Sequence, residues 1–340
     1  MAFEISGKSL IRYCEVEEET VVVVPNGITT IEDEAFLDCV DVTSVVLPDG
    51  LERIGNRAFS GCTNLAQIKI PNTVTLLGGL VFCSCRSLEE IELPDSLTSI
   101  GAGAFQECGN LKRVLIKDNV TTIELYAFAG CISLEDISLP ESIKTIMEGA
   151  FRGSGLKSIT IPRRVTEIDD RVFKCCYELS SIEILGPINR IGRAAFKSCI
   201  SLQKFNLPSS VQQIDEYAFT SSGITDIQLP SNLREIPRRA FEACYCLQKI
   251  VIPPKVTVIG EGAFSECARL RRVTLNKGLK VISKNAFRNC KMLRFLLIPA
   301  SVESVDSDAF AWCSRSLRLS LKIVSIQNKF IRRLKRYFGC

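Results

Sequence analysis

One repeat of 22 or 23 residues runs through most of this 340-residue chain and limits what it can fold into. Each unit begins at an aliphatic residue. Successive starts lie 23 residues apart, except for two steps of 22, from Ile146 to Ile168 and from Ile214 to Ile236. The consensus is I-x-x-x-A-F-x-x-C-x-x-L-x-x-I-x-[IL]-P-x-x-[VL]-x-x-I. A register kept over thirteen units predicts a solenoid, in which each coil packs only on its neighbours.

Phenylalanine fills one position of the repeat in all thirteen units, and alanine precedes it in all but two, where Val81 and Val172 stand. These residues are Phe36, Phe59, Phe82, Phe105, Phe128, Phe151, Phe173, Phe196, Phe219, Phe241, Phe264, Phe287 and Phe310. We expect a buried ladder of aromatic rings, each contributing roughly 1.5–3 kcal/mol. The A-F-x-x-C stretch has the length of about one helical turn.

The I-x-[IL]-P stretch alternates between inward and outward side chains and predicts a short strand. In the second repeat Ile68 and Ile70 point inward, Gln67 and Lys69 point outward, and Pro71 ends the strand. The V-x-x-I stretch predicts a second, shorter strand. The sequence therefore predicts an α/β repeat protein, a solenoid of about 13 coils with a parallel β-sheet face and short helical turns.

The A-F-x-x-C-x-x-L-x-x-I-x-I-P signature resembles the BspA-like leucine-rich repeats, over about residues 20–315. That resemblance implies a right-handed leucine-rich-repeat solenoid with a binding or adhesion role and no shared catalytic residues. Many members of the family carry secretion or surface-anchoring modules, and this sequence shows none.

The two ends differ from the repeats and predict caps, which keep a solenoid from exposing its core. Residues 1–30 form an N-terminal cap, a hairpin around Gly7, and a first half repeat, and residues 31–316 form the solenoid. Residues 317–340 form a C-terminal cap with a basic amphipathic helix. We expect residues 322–338 to cover the last coil; membrane contact through the same residues is the less favoured alternative.

Eleven of the sixteen cysteines occupy one repeat position, Cys39, Cys62, Cys85, Cys108, Cys131, Cys176, Cys199, Cys244, Cys267, Cys290 and Cys313. The two shortened units carry Ser154 and Ser222 there, so the position takes a small side chain, and we expect it to be buried. The remaining cysteines are expected to be exposed: Cys14, Cys83, Cys175, Cys246 and Cys340. Cys83-Ser-Cys85 resembles a metal pair, but the chain has no histidine to complete a site, and we predict neither metal nor cofactor.

Enzyme signatures are missing from the sequence. Without histidine there is no Ser-His or Cys-His couple and no H-E-x-x-H site, and no G-x-x-x-x-G-K-[ST] phosphate loop occurs. Glu89, Glu90 and Glu92 form a carboxylate cluster at outward positions, which indicates a solvated acidic patch. We therefore predict that the chain is not an enzyme.

Charge divides unevenly along the chain. Residues 1–170 hold 14 Lys+Arg against 26 Asp+Glu, a net of −12, and residues 171–340 hold 28 against 12, a net of +16. An uneven charge distribution creates an electrostatic field along the chain, and such a field steers charged partners. Drift in surface composition is the alternative explanation.

Outward strand positions near the end of the repeats combine arginine with apolar side chains, which is typical of protein interfaces. We predict a binding surface at Lys249, Val251, Arg272, Arg294 and Phe295. The alternative is that the C-terminal segment covers part of this face. Phe295 is the one aromatic residue among the outward strand positions, which argues against a polysaccharide lectin.

The sequence favours a non-catalytic scaffold that binds a protein partner through its strand face. A cell-surface adhesin is the alternative, and no nucleic acid is expected. The N-terminus has no basic region followed by an apolar segment, so the expected location is the cytoplasm, or the cell exterior if the N-terminus is processed.

Overall fold

A computed structural model describes residues 2–14 and 19–317; the predicted helix at 322–338 and Cys340 lie outside them. The chain divides into two compact units. Unit 1 comprises Met1–Thr166, Val172–Tyr177 and Ile182–Gly186, and unit 2 comprises Glu167–Arg171, Glu178–Ser181 and Pro187–Cys340. Each unit is a stack of β-solenoid turns, as the repeat predicts. The boundaries after residues 30 and 316 stay a prediction.

All the strands in the described residues are short, from two to five residues. In chain order they are β1 (Phe3–Ser6), β2 (Ser9–Tyr13), β3 (Val21–Val23), β4 (Thr30–Ile31), β5 (Ser44–Val46), β6 (Arg53–Ile54), β7 (Gln67–Ile68), β8 (Leu76–Leu77), β9 (Glu90–Glu92), β10 (Ser99–Ile100), β11 (Arg113–Leu115), β12 (Thr122–Ile123), β13 (Thr145–Ile146), β14 (Ser158–Ile161), β15 (Glu167–Ile168), β16 (Ser181–Ile184), β17 (Arg190–Ile191), β18 (Gln213–Ile214), β19 (Glu235–Ile236), β20 (Lys249–Val251), β21 (Val258–Ile259), β22 (Arg272–Thr274), β23 (Val281–Ile282) and β24 (Ser304–Val305).

Both predicted strands of the repeat are present, and each forms parallel ladders with the same strand of neighbouring coils. In unit 1 the I-x-[IL]-P strands pair as β3-β5-β7 and β9-β11, and the shorter strands pair as β2-β4-β6-β8 and β10-β12-β13. In unit 2 the shorter strands pair as β15-β17-β18 and β19-β21-β23-β24, and β20 pairs with β22. The register places each residue beside its equivalent in the next coil, such as Ile31 beside Ile54.

The N-terminal cap of unit 1 is the hairpin expected around Gly7. Strands β1 and β2 pair antiparallel, and Gly7 has a φ of 61°, a conformation that glycine adopts without strain. Strand β2 continues into the parallel ladder through β4. The Tyr13 ring stacks on Phe36 with centroids 5.2 Å apart, and Phe3 covers Tyr13 at 5.5 Å. The cap therefore shields the first ring of the ladder.

The phenylalanine ladder is confirmed as the centre of the core. Each of the thirteen rings is at most 1% exposed. Within unit 1 the rings from Phe59 to Phe173 stack with centroids 5.4–5.8 Å apart, and within unit 2 those from Phe196 to Phe310 stack at 5.2–5.5 Å. Offset stacks at these distances are favourable beyond the area they bury.

The A-F-x-x-C stretch does not form a helical turn, so the expected short helical turns are wrong; in the described residues only 315–317 are helical. In the second coil Arg57 and Gly61 adopt positive φ on either side of Phe59, which interrupts any helix. The N–H groups of Arg57, Phe59 and Gly61 donate to carbonyls of the next coil at 2.8–2.9 Å, and Cys62 closes a turn onto Phe59. Hydrogen bonds between coils replace those of a helix.

The two shortened coils omit one residue after the cysteine position, and a glycine makes the shortening fit. A Cβ on Gly155 would lie 2.1 Å from the Ile132 carbonyl oxygen in unit 1, and one on Gly223 would lie 2.0 Å from that of Ile200 in unit 2. Because no side chain then covers them, Ile132 is 69% and Ile200 is 58% exposed.

Candidate functional site

The predicted binding residues lie in unit 2, and three of them stand on paired strands. In the register of β20 and β22, Lys249 lies beside Arg272 and Val251 beside Thr274. The side chain between Lys249 and Val251 is Ile250, which is buried. Alternation along the strand therefore turns Lys249, Val251 and Arg272 outward together.

The other two residues belong to the next coil, which differs from the expected strand. Residues 294–297 lie outside the strands, although alternation is kept from Phe295 onward: Phe295 and Leu297 are exposed and Leu296 is buried. Arg294, which precedes Phe295, is exposed as well. We call the five residues Lys249, Val251, Arg272, Arg294 and Phe295 the C-terminal strand surface. The structure confirms that each is exposed, and it contains no contact that tests them as a binding site.

The cations of the C-terminal strand surface are largely uncompensated. Lys249 Nζ lies 2.8 Å from Asp226 Oδ2. Arg271 and Arg272 line a hollow of about 320 Å³ next to this pair, and within the described part of the chain neither they nor Arg294 form an ion pair. Guanidinium groups in this state are available for carboxylates, which they bind in a bidentate geometry.

Exposed apolar side chains accompany these arginines. Val251 is 61% exposed, Phe295 is 57% exposed, and the neighbouring Leu297 is 65% exposed. Below Val251 a hollow of about 420 Å³ is lined by Leu229, Pro253 and Pro254. Apolar groups beside arginine can be covered by a partner, and this pairing is enriched in protein interfaces.

Unit 1 has a larger hollow on its own strand face, of about 760 Å³. It is lined by residues of both charges, among them Lys69, Glu90, Glu92 and Arg113. Lys117 Nζ donates to Glu92 at 2.6 Å, and this hydrogen bond holds the pKa of the Glu92 carboxyl below its usual range. Exposed carboxylates in such pairs are solvated, as the sequence predicts for the Glu89, Glu90 and Glu92 cluster.

All eleven ladder cysteines are buried and reduced, as expected. Nine of these thiols donate to a carbonyl of the preceding coil at 2.9–3.2 Å: Cys62, Cys85, Cys108, Cys131 and Cys176 in unit 1, and Cys244, Cys267, Cys290 and Cys313 in unit 2. The acceptor is the carbonyl of the ladder phenylalanine. Of the remaining cysteines described, Cys14 is exposed, but Cys83, Cys175 and Cys246 are half-buried, less accessible than expected.

Burial also opposes ionisation of the ladder thiols. It raises the pKa of the Cys176 thiol to about 11 and that of Cys244 to about 12, although hydrogen bonds with Ser154 and Ser222 oppose the rise. Burial raises the pKa of Cys131 far above its ordinary value. Since the thiolate is the nucleophile and the metal ligand, the ladder is a structural element.

One charged cluster in unit 2 was missed at the sequence level. Arg190 on β17 donates to Asp215 Oδ2 at 2.8 Å and to Asp170 Oδ1 at 2.6 Å, and Glu167 and Asp169 lie within 3.4 Å. Burial lowers the pKa of Arg190, but the charges and hydrogen bonds of Asp215 and Asp170 outweigh this effect and raise that pKa overall. The cluster joins three successive coils. The sequence signal for this cluster is an aspartate directly after the first isoleucine of two repeats, Asp169 and Asp215, with Arg190 directly before the first isoleucine of the repeat between them.

No helix in residues 2–14 and 19–317 is long and apolar enough to span a membrane.

Comparison of the whole chain with solved structures gives close matches in architecture. It is 27% identical to a leucine-rich cell surface protein of Faecalibacterium prausnitzii A2-165, with a TM-score of 0.61 and 94% of each chain covered. A leucine-rich repeat protein of Bacteroides ovatus ATCC 8483 shares 24% identity and a TM-score of 0.59, over 86% of this chain and 91% of the other. The pneumococcal vaccine antigen PcpA shares 20% identity and a TM-score of 0.51, over 91% and 76%. The last two likenesses show the fold alone.

No curated protein sequence matches the chain. The profile of the BspA type leucine rich repeat region, in contrast, matches residues 10–134, 121–248 and 189–317. These matches cover nearly the whole of the described chain and carry the phenylalanine and cysteine ladders. The chain therefore belongs to the BspA type leucine-rich repeat family.

Proposed function

We propose that this chain is a non-catalytic scaffold that binds a protein partner through the C-terminal strand surface. The observation that carries the proposal is the exposure of Val251 and Phe295 beside arginines that form no ion pair with any other described residue. A partner that covers these side chains would gain binding free energy of about 25 cal/mol for each Å² of apolar surface removed from water. The net charge of +16 in residues 171–340 favours an acidic partner.

An affinity pull-down with immobilised intact chain tests the proposal. Arg272→Glu with Arg294→Glu, and separately Phe295→Ala, should abolish capture of the partner that wild-type protein retains. Trp312→Ala is the matched control for the aromatic change, because Trp312 is also exposed but stands in the turn segment. Equal loss with Trp312→Ala, or unaltered capture with all variants, would contradict the assignment.

Kinetics of the isolated complex separate the two kinds of contact. The charge reversals should slow association and reduce its salt dependence, because steering acts on the on-rate. Phe295→Ala should mainly raise the off-rate, since it removes an apolar anchor that the partner would bury. Binding that is lost instead on reversal of Glu90 and Glu92 would place recognition in unit 1.

A second candidate is an adhesin on the cell surface. The leucine-rich protein of F. prausnitzii is described as a cell surface protein, and this favours export of the present chain as well. Fractionation of the source cells with antibody against unit 2 tests it. Protease-accessible protein on intact cells would support the adhesin, and protein confined to the cytosol would exclude it.

A further inference from the structure

Two tyrosines occupy the same position of the repeat, one in each unit. Tyr126 precedes the ladder residue Phe128 by two positions, and Tyr217 precedes Phe219 in the same way. Both have positive φ, 55° and 61°, so their backbones present the phenol from the same point of the coil. Tyr126 therefore serves as an internal reference for Tyr217.

The two phenols meet opposite surroundings. Tyr126 Oη donates to Glu148 Oε1 at 2.9 Å, and Glu148 stands three residues before the next ladder phenylalanine. In unit 2 the matching position is Arg238, a second donor. Within the described residues of unit 2 no acceptor binds the Tyr217 hydroxyl.

Four cations surround the Tyr217 ring. The preceding coil contributes Arg193 and Lys197, each 5.7 Å from the ring centroid, and the following coil contributes Arg238 at 5.6 Å and Arg239 at 5.9 Å. Cations at such distances are attracted to the ring, by roughly 0.5–1 kcal/mol each at exposed sites. The ring cannot neutralise them, however, so mutual repulsion remains.

Carboxylates compensate only part of this charge. Arg238 lies 3.5 Å from Glu261, and Arg239 lies 3.7 Å from Glu242. Arg193 and Lys197 form no ion pair among the described residues, although Glu216 is the chain neighbour of Tyr217. Among the described residues, therefore, two cations without a paired anion lie against the ring of a tyrosine whose hydroxyl has no acceptor.

We propose that Arg193, Lys197, Tyr217, Arg238 and Arg239 form a phosphate-binding site, here called the Tyr217 site. The phosphate oxygens accept hydrogen bonds from the Tyr217 hydroxyl and from the two unpaired cations. Hydrogen bonds between charged groups are about twice as strong as neutral ones, which suits a dianion. The site is separate from the C-terminal strand surface and does not depend on the proposed protein-binding function.

Fluorine NMR of the intact chain, labelled with 3-fluorotyrosine, tests the site. The probe is inorganic phosphate at pH 7, compared with chloride at matched ionic strength, and Tyr217→Phe assigns the resonance. We expect the Tyr217 signal to shift saturably with phosphate, while Tyr126 stays unchanged. A second titration with phosphoserine distinguishes the two sources of phosphate. Tighter binding of phosphoserine than of inorganic phosphate would indicate an esterified phosphate as the ligand, and inorganic phosphate binding at least as well would indicate free phosphate.

Two double variants supply the control. Arg193→Gln with Lys197→Gln should weaken phosphate binding at least about tenfold, as expected for two lost charge-assisted bonds. Lys284 and Arg288 hold the same two repeat positions in a later coil, without a tyrosine beside them, so Lys284→Gln with Arg288→Gln should leave binding unaltered. Equal weakening by both pairs, or an equal shift with chloride, would overturn the proposal. The comparison of phosphate with chloride needs only the wild-type chain.

Discussion

Gly155 allows the shortened coil of unit 1 to close, and Gly155→Ala tests this role. The new Cβ would lie 2.1 Å from the Ile132 carbonyl oxygen, so adjacent coils must separate by more than about 1 Å. Overpacking of this kind costs about 1–3 kcal/mol. The hydrogen bond from Gly155 N to Cys131 O, now 3.0 Å, would stretch and lose about 0.5–1.5 kcal/mol.

Alanine also restricts the conformations of the unfolded chain, which stabilises the folded protein by about 0.4–1 kcal/mol. The net expectation is a loss of about 2 kcal/mol in the free energy of unfolding, within a range of about 0.5–4 kcal/mol. Gly109→Ala is the matched control, because Gly109 follows the cysteine of a full-length coil and its Cβ would meet only Ile132 Cγ1, at 3.8 Å. That variant should be unchanged or stabilised by up to about 1 kcal/mol.

Urea unfolding followed by far-UV circular dichroism measures both variants, with the slope of the transition checked against wild type. Gly223→Ala repeats the test in unit 2, where the Cβ would lie 2.0 Å from the Ile200 carbonyl oxygen. A loss below about 0.5 kcal/mol for Gly155→Ala, or a loss equal to that of Gly109→Ala, would refute the reasoning about the short coils.

Three further results follow from the ladders and the charged cluster. Phe128→Ala should cost about 3–5 kcal/mol in urea unfolding, because the ring is fully buried between two others; a loss under about 1 kcal/mol would mean that the ladder is not core. Cys14 should react with iodoacetamide within minutes at pH 8, whereas Cys108 and Cys131 should stay unmodified until urea is added, since burial raises their pKa and keeps them protonated; mass spectrometry of the digest decides. Arg190→Met should destabilise unit 2 by roughly 1–3 kcal/mol, because Asp170 and Asp215 lose the guanidinium that donates to them; a melt unchanged from wild type would exclude a stabilising role for the cluster.

The repeat register was sufficient to predict which residues form the core. Each coil lies on its equivalent in the next, so Phe59 and Cys62 must each fit a slot made by copies of themselves, and the residue types recur. Alternation along the strand likewise predicted the outward positions of Lys249 and Val251.

The A-F-x-x-C segment was predicted wrongly because its spacing is equally compatible with a helical turn and with turns flanked by positive φ. Hydrogen bonds between coils, such as Phe59 N to Val81 O, decide the conformation, and local spacing does not report them. The Tyr217 site was missed for a related reason. It becomes visible only when the neighbours of equivalent positions are compared, where Glu148 beside one tyrosine is replaced by Arg238 beside the other.

Hydrogen–deuterium exchange of the intact chain, with and without the partner captured by pull-down, tests most directly where the scaffold binds. Protein binding through the C-terminal strand surface predicts slowed amide exchange in peptides covering residues 249–251, 272–274 and 294–297, with peptides at 67–69 and 90–92 unchanged. Protection confined to the latter two peptides, on the strand face of unit 1, would contradict it.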